Sequence, residues 1–162
     1  SAGLDPDASR FYDPDYRPVV RRMVALVVAT EGPVYTDLLV QRLARAHGFA
    51  RAAGRIREVV LGAISRQYGK TEELGRELIW PEGATVGAII PYRPSEGDDA
   101  RDHSDIPLVE FASLAARYLD DGADTEEAVR RLAAFIGLGR LREATRQRLE
   151  AAVELARLAA RA

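Results

Sequence analysis

Apolar residues in the first half of the chain recur at helical spacing and predict three helices. These helices cover about 18–30, 36–47 and 52–67. Glu31-Gly32-Pro33 breaks the first helix, and Val34-Tyr35 is long enough only for a short strand before Thr36 caps the second helix. Gly48 supplies a left-handed turn between the second and third helices. The stretch from Glu31 to Ile64 therefore predicts a helix, a tight turn and a second helix.

The pattern changes after Gly69, where Ile, Val, Trp and Tyr replace the helical periodicity. The stretch from Arg76 to Arg93 predicts two short strands around Pro81-Glu82-Gly83, with Trp80 at the tip of the hairpin. Three helices, a short strand after the first helix and a final hairpin follow one another in the order of a winged helix. The first half is therefore expected to be a winged-helix module.

The second half predicts three more helices and no hairpin. Asp124 and Glu127 form a capping box, the segment from Gly137 to Gly139 makes a turn, and Leu141 to Ala160 predicts a long last helix. The predicted fold class is mainly α with a small β-hairpin, a winged helix followed by a second helix-turn-helix-like three-helix module. The predicted divisions are an N-terminal arm (1–17), the winged-helix module (18–94), an acidic linker (95–106) and a three-helix repeat module without a wing (107–162).

The two halves share a faint internal repeat. Gly137 lies 89 residues after Gly48, and this single offset aligns eleven pairs of identical residues. The pairs are Pro18/Pro107, Val20/Val109, Thr36/Thr125, Val40/Val129, Arg42/Arg131, Leu43/Leu132, Ala44/Ala133, Gly48/Gly137, Arg51/Arg140, Arg57/Arg146 and Ala63/Ala152. The match is suggestive of a duplicated helix-turn-helix.

Composition is that of an ordinary globular protein, with 47% hydrophobic residues and a net charge of −2. The longest apolar run, from Met23 to Ala29, is far shorter than the roughly 18 residues of a membrane span. No charged-then-apolar secretory signal opens the chain, so we expect a cytoplasmic protein with no membrane partner. The absence of cysteine removes disulfides and thiolate metal sites and fits a reducing compartment, and no cofactor is expected. The chain begins Ser-Ala without methionine, which predicts a larger parent protein.

Charge is distributed unevenly along the chain. Seven basic residues between Tyr35 and Lys70 are accompanied by only two acidic ones, whereas eleven acidic residues between Glu96 and Glu127 are accompanied by two arginines. This asymmetry indicates that one face of the protein binds a polyanion. An Arg-rich composition also arises without selection for phosphate binding, so a solvated or protein-contacting face is the alternative.

The third predicted helix carries the main candidate site. On a helical projection Arg51, Arg55 and Arg66 share one outer flank. The candidate nucleic-acid-binding residues, which would grip successive phosphates, are Arg51, Arg55, Arg57, Arg66, Lys70, Arg76 and Arg93. Glu58 and Leu61 lie on the same outward face and disfavour the reading of bases.

Two apolar side chains are candidates for protein contact. Leu61 is predicted to be exposed on the third helix, where it would meet a partner surface. Trp80 either stacks on a nucleobase or packs on the helices, and packing is favoured.

The chain predicts no catalytic or metal site. Gly69-Lys70-Thr71 ends like a phosphate-binding loop, but Ile64 stands where the first glycine of that motif belongs, and a helix precedes it. A cluster of acidic residues is a candidate for a metal site. It does not have the spacing of a calcium loop, so we interpret it as a solvated linker. Its members are Asp98, Asp99, Asp102, His103 and Asp105. We therefore expect that this chain is not an enzyme.

Three runs of sequence resemble an uncharacterised C-terminal domain of large bacterial superfamily I DNA/RNA helicases, whose parent proteins also carry an endonuclease-like domain. They are EGPVYTDLLVQRLARAHGFARAAGRIREVV, ELIWPEG and PYRP. The resemblance rests on Glu31-Gly32-Pro33, the Gly48-Phe49 turn, Arg51 and Arg55-Ile56-Arg57, and it is best from about residue 19 to 93. It implies a helicase-associated role in DNA processing or defence. It assigns no catalytic residue, so helicase or nuclease activity would belong to other parts of the parent protein.

Two classes of function follow from these observations. The first is a non-catalytic accessory module of a helicase-type DNA-processing protein, which binds nucleic acid mainly through the phosphate backbone. Its expected partners are nucleic acid, with DNA favoured, and the parent helicase domains. The second is a docking module for another protein or for the parent's own domains, with no nucleic-acid contact, because the fold alone does not decide function.

Overall fold

The structure is a computed structural model that describes residues 5–97 and 100–162. Contacts divide the chain into two compact units, Ser1–Val86 and Gly87–Ala162. The regular elements of the described residues, apart from short 3₁₀ turns, are six α-helices and three β-strands. They are α1 (Arg17–Glu31), β1 (Val34–Tyr35), α2 (Thr36–Ala46), α3 (Gly54–Gly62), β2 (Gly69–Glu73), β3 (Arg76–Trp80), α4 (Leu108–Asp120), α5 (Thr125–Phe135) and α6 (Glu143–Arg161). The prediction of a mainly helical fold is confirmed, and its small β component is a three-stranded antiparallel sheet.

The core of the first unit is formed mainly by α1, α2 and α3. Val20, Val24 and Val28 recur every four residues along α1, so their side chains lie on one buried face. The buried members of this core are Phe11, Tyr16, Val20, Val24, Val28, Leu39, Val40, Leu43, Val59, Val60, Ala63 and Ile79. Phe11 and Tyr16 precede α1, so the segment before the first helix packs on the body through two aromatic rings.

The turn between α2 and α3 has the predicted left-handed glycine. Gly48 has a φ of 78°, and the Phe49 amide donates to the Ala44 carbonyl at 2.9 Å, which closes the end of α2. The predicted capping role of Thr36 is wrong. Tyr35 is the N-cap, and the Thr36 hydroxyl instead donates to Glu77 Oε1 on β3 at 2.7 Å.

Helix α3 is shorter than the predicted span of 52–67. The backbone of Ala53 is extended, so the helix begins only at Gly54. Beyond Gly62 the helical bonds tighten, and the Ser65 side chain accepts from the Gln67 amide, a local bond that competes with helix continuation. Residues on either side of α3 therefore do not follow its helical projection.

The predicted position of the hairpin is wrong. The two strands are β2 and β3, joined at Leu74-Gly75, and no strand follows Pro81-Glu82-Gly83 within the described part of the first unit. The sheet order is β1-β3-β2, all antiparallel, so β3 is central. Trp80 is opposite Gly69, at the end of the hairpin away from the turn, and not at its tip. The edge strand β2 consists mostly of polar residues, so it lacks the alternating apolar pattern that predicts a strand.

The turn of the hairpin holds a leucine in a left-handed conformation. Leu74 has a φ of 50° and is 61% exposed, and Gly75 has a φ of 82°. Two positive φ values in a two-residue loop match the turn that fits the twist of paired strands, where asparagine and glycine are preferred. Leucine at this position is strained by its Cβ, at a cost of roughly 1 kcal/mol.

We expect that replacing Leu74 by asparagine stabilises the first unit by roughly 0.5 kcal/mol, since asparagine tolerates the left-handed region better than leucine does. The measurement is urea unfolding followed by the fluorescence of Trp80, the one tryptophan of the chain. Leu74→Ala is the matched control, because alanine has the same Cβ but no polar side chain that can hydrogen-bond locally in the left-handed region. Equal stabilities of the two variants would contradict the expected advantage of asparagine.

The second unit encloses its own apolar core between α4, α5 and α6. Its buried members are Ile106, Leu108, Phe111, Ala112, Leu114, Ala115, Ala128, Val129, Leu132, Ala133, Leu149, Ala152, Val153 and Ala156. Ile89 and Tyr92 pack against this core, and the Ile90 amide donates to the Val109 carbonyl at 3.3 Å. Residues 87–94 therefore lie with the second unit, whereas the predicted winged-helix module extends to residue 94.

Helix bounds in the second unit repeat those of the first with the offset of 89 residues. Helix α2 begins at Thr36 and ends at Ala46, and α5 begins at Thr125 and ends at Phe135. The same offset relates the start of α3 to the start of α6, and the end of α1 to the end of α4. The repeat found in the sequence therefore extends to the backbone.

A buried carboxylate anchors the segment before α4. Glu110 on α4 is 0% exposed and accepts from Arg101 Nη1 at 2.7 Å and from Arg93 Nη2 at 2.9 Å. The Arg93 amide also donates to it at 2.9 Å. Burial raises the pKa of Glu110, but the hydrogen bonds from Arg101 and Arg93 outweigh burial, so the pKa of this carboxyl lies below its ordinary value.

Asp124 is the N-cap of α5, as predicted, because its side chain accepts from the Glu127 amide at 2.8 Å. Of the predicted acidic cluster, Asp98 and Asp99 lie outside the described residues, and Asp102 caps a short 3₁₀ turn through Ser104. Within the described ranges, no group of three or more His, Cys, Asp or Glu side chains is arranged to hold a metal ion. Among these same residues, none of the helices combines the length and apolar content needed to cross a bilayer.

Candidate nucleic-acid interface

The structure places an open cleft of about 330 Å³ where α2 meets the turn to α3. We call it the arginine cleft, because three of its lining residues are arginines. The lining residues are Asp37, Val40, Gln41, Ala44, Arg45, Phe49, Ala50, Arg51, Ala52 and Arg57. Its volume is sufficient for a phosphate group, and the cleft is open to solvent.

Three different elements bring the arginines together. Arg45 lies in the last turn of α2, Arg51 in the extended segment after the turn, and Arg57 in the first half of α3. The left-handed turn at Gly48 reverses the chain between them. All three residues are exposed. This turn therefore brings together three cations from a segment of 13 residues, from 45 to 57.

The cleft has an excess of positive charge. In the described part of the chain, no ion pair engages Arg45, Arg51 or Arg57. Asp37 supplies the carboxylate among the lining residues, and it already accepts two hydrogen bonds from Arg76, at 3.1 Å from Nε and 2.9 Å from Nη2. Unpaired guanidinium groups at a surface attract anions, and their fork geometry suits the oxygens of a phosphate.

Arg55 lies apart from the arginine cleft. Its Cζ atom is 4.5 Å from the centroid of the Tyr12 ring, a cation–π contact with the segment before α1. The projection that grouped Arg51, Arg55 and Arg66 on one flank is wrong, because Arg51 precedes α3 and Arg66 follows it. The structure groups Arg51 with Arg57 instead.

Three of the predicted basic residues have carboxylate neighbours. Lys70 Nζ is 4.0 Å from Glu77 Oε1 across the hairpin. Arg76 is bound to Asp37 and stacks on Tyr35, with Cζ 3.7 Å from the ring centroid. Arg93 binds the buried Glu110 in the second unit. The partners of Arg76 and Arg93 are distant in sequence, and the Lys70 pair depends on the register of the hairpin, so the sequence pattern did not indicate them.

The two apolar candidates differ in accessibility. Leu61 is 38% exposed on α3, as expected for a contact residue. Trp80 is 1% exposed, and its indole Nε1 donates to the Thr71 hydroxyl at 2.8 Å. Because its ring is enclosed and its polar atom is satisfied, Trp80 stabilises the sheet and does not present a surface for stacking.

A buried histidine fixes the turn next to the cleft. His47 Nδ1 is 2.7 Å from the Leu43 carbonyl, and its Nε2 is 2.7 Å from the Tyr16 hydroxyl. A carbonyl only accepts, so Nδ1 carries a proton, and the 2.7 Å contact of Nε2 is a hydrogen bond with the Tyr16 hydroxyl. Phe11 packs edge-on against the imidazole, with centroids 4.8 Å apart. These contacts tie the end of α2 to the segment before α1.

Sequence reasoning missed Arg45 and the partly buried Phe49. Arg45 lies three residues before the turn glycine, Gly48, which is the signal that could have found it. A side chain in the last turn of a helix lies beside the chain that leaves the turn. The projection of α3 alone did not include this neighbour.

The comparisons with known proteins describe part of the first unit. Residues 9–58 match a family described as "Protein of unknown function (DUF3320)". This segment contains α1, β1, α2 and the first half of α3, together with the three arginines of the cleft. Searches of curated proteins and of solved structures found no match. The prediction of an uncharacterised domain is therefore confirmed for this segment.

Proposed function

We propose that this chain is a non-catalytic accessory module that binds the phosphate backbone of nucleic acid through the arginine cleft. DNA is the favoured ligand, and the parent protein is a helicase-type DNA-processing enzyme. The observation that carries the proposal is the convergence of Arg45, Arg51 and Arg57 on one open cleft without carboxylate partners in the described residues. The parentage rests on the sequence resemblance over residues 19–93.

The topology of the first unit supports this proposal. The order α1, β1, α2, α3, β2, β3 with a β1-β3-β2 sheet is what a winged helix requires, and we interpret the unit as one. In that interpretation α2, the Gly48 turn and α3 form the helix-turn-helix, the part of such folds that meets DNA. The arginine cleft lies at this turn.

The proposed contacts are to phosphates and carry no sequence information. Glu58 and Leu61 occupy the exposed side of α3 next to Arg57, and neither forms the bidentate contacts that identify a base pair. The hairpin contributes little attraction, because Lys70 and Arg76 have carboxylate neighbours. Phosphate contacts fix orientation but do not specify sequence, so we expect little preference among duplexes.

The test is the binding of the full chain to a fluorescein-labelled duplex and to its single strands, followed by fluorescence anisotropy at low salt. The triple variant R45A/R51A/R57A is expected to bind at least roughly tenfold more weakly than the unmodified chain, since each phosphate contact adds affinity that salt screens. The matched control is R22A/R117A/R161A, which removes three exposed arginines elsewhere and changes the net charge equally.

A triple variant that binds as tightly as its control would contradict the arginine cleft as the contact surface. Circular dichroism of each variant verifies that the helices are intact. Absence of binding by the unmodified chain to every strand form at low salt would end the nucleic-acid proposal. It would favour the docking alternative, for which the exposed Leu61 on α3 is the supporting observation.

A further inference from the structure

We infer that the second unit carries a second phosphate-binding site, formed by Arg140 and Arg146 at the turn between α5 and α6. The inference rests on the proposed function of the first unit and extends it to the other repeat. Arg140 and Arg146 are the repeat partners of Arg51 and Arg57, which line the arginine cleft.

The turn glycine has the same geometry in the two units. Gly48 and Gly137 have φ values of 78° and 77°. The residue after each glycine donates its amide to a carbonyl at 2.9 Å, from Phe49 to Ala44 and from Leu138 to Ala133. Because α3 and α6 also begin at equivalent positions, Arg140 and Arg146 have the same sequence positions relative to their turn as Arg51 and Arg57. The backbone between the arginines differs at one residue, because Gly54 has a φ of 44° and its equivalent, Glu143, does not have a positive φ.

Nine of the eleven identical pairs have a structural reason. Five are buried in both units: Val20/Val109, Val40/Val129, Leu43/Leu132, Ala44/Ala133 and Ala63/Ala152. Three mark helix ends or the turn: Pro18/Pro107, Thr36/Thr125 and Gly48/Gly137. In the ninth pair, Arg42 binds Glu31 at 3.1 Å, and Arg131 lies 3.9 Å from Asp121, so each arginine holds its helix to the end of the preceding one.

The two remaining pairs are Arg51/Arg140 and Arg57/Arg146. All four side chains are exposed, and within the described residues no ion pair holds any of them. Packing therefore does not account for their identity in the two repeats. The shared feature is an exposed arginine at the equivalent position of each turn, and an exposed guanidinium suits contact with a phosphate.

The surrounding charges differ between the units. Ala134 replaces Arg45, so the second site lacks the cation from the preceding helix. Arg142 adds an exposed cation between Arg140 and Arg146. Arg130, at the position of Gln41, is engaged by Glu127. The second site therefore consists of the two arginines equivalent to Arg51 and Arg57, with Arg142 as an exposed neighbour.

The test uses the full chain with the arginine cleft already removed. In the R45A/R51A/R57A background, salt-dependent binding to the labelled duplex is expected to remain, with a slope of log affinity against log salt of about −1.8, or about 0.9 for each of two phosphate contacts. Adding R140A/R146A should remove this residual binding. The matched control adds R22A/R161A to the same background.

Residual binding that falls no further with R140A/R146A than with R22A/R161A would overturn the second site. That result would leave the proposed function intact, because the first site is tested by the triple variant against the unmodified chain. A triple variant without residual binding also overturns the second site. The α-helical circular dichroism signal of each variant distinguishes loss of a contact from loss of folding.

Discussion

Replacing Glu110 by glutamine is expected to destabilise the second unit by about 3 kcal/mol, the largest stability effect of any single change considered for this chain. Glu110 is 0% exposed and accepts from both Arg93 and Arg101. A neutral amide leaves two guanidinium groups partly buried without their counter-charge. Their side chains are 35% and 17% exposed, so water offsets part of the cost.

The measurement is urea unfolding followed by circular dichroism, with Glu154→Gln on the exposed side of α6 as the matched control. The control is expected to change the free energy of unfolding by less than about 0.5 kcal/mol, as surface substitutions usually do. An E110Q variant as stable as E154Q would show that the negative charge of Glu110 contributes nothing to the free energy of unfolding.

The same pair of variants tests the pH dependence. Because the pKa of Glu110 is lower in the folded chain than its ordinary value of 4.5, its contribution to stability is present above that value and is lost as the pH falls through the folded pKa. The stability difference between the unmodified chain and E110Q should therefore be full near pH 7 and shrink in acid. A difference that grows as the pH falls would contradict the direction of the shift.

Replacing Glu58 by lysine is expected to tighten binding to duplex DNA by about tenfold at low salt. Glu58 is exposed on α3 next to Arg57 and opposes phosphate at the proposed surface. The substitution changes the local charge by two, and a charge pair at 4 Å contributes about 1 kcal/mol in water. Gain of affinity is a sharper result than loss, because misfolding does not produce it.

The matched control is Glu72→Lys on the exposed edge of β2, which makes the same change in net charge away from the arginine cleft. Anisotropy titrations of both variants at one salt concentration supply the comparison. If E72K binds as tightly as E58K, then overall charge and not the α2–α3 turn determines affinity. That outcome would contradict the assignment of the surface.

Much of the helical fold could be predicted from the sequence, because apolar spacing and turn glycines are local signals. Gly48 and Asp124 act as their residue types predict. The sequence pattern predicts the hairpin too late along the chain, because β2 is a polar edge strand that pairs on one side only. The turn at Leu74-Gly75 has a leucine where asparagine is usual, so the chain lacks the Asn-Gly pair that predicts a hairpin turn.

The candidate site was harder to predict than the fold, because the availability of a charge depends on distant residues. Arg76 and Arg93 looked equivalent to Arg51 in sequence, yet each binds a carboxylate that lies far along the chain. Arg45 joins the cleft only because the turn brings α2 and α3 together. A sequence shows which residues are basic, whereas the fold determines which of them remain unpaired.

The dependence of duplex affinity on salt tests the central claim most directly. Log affinity is expected to fall with log salt with a slope of about −2.7 or steeper for the unmodified chain, because each of three phosphate contacts in the arginine cleft adds about −0.9. Removing Arg45, Arg51 and Arg57 together should make the slope shallower by about the same amount, while R22A/R117A/R161A should leave it nearly unchanged. Equal slopes for the two triple variants, or no binding by the unmodified chain at low salt, would contradict the account.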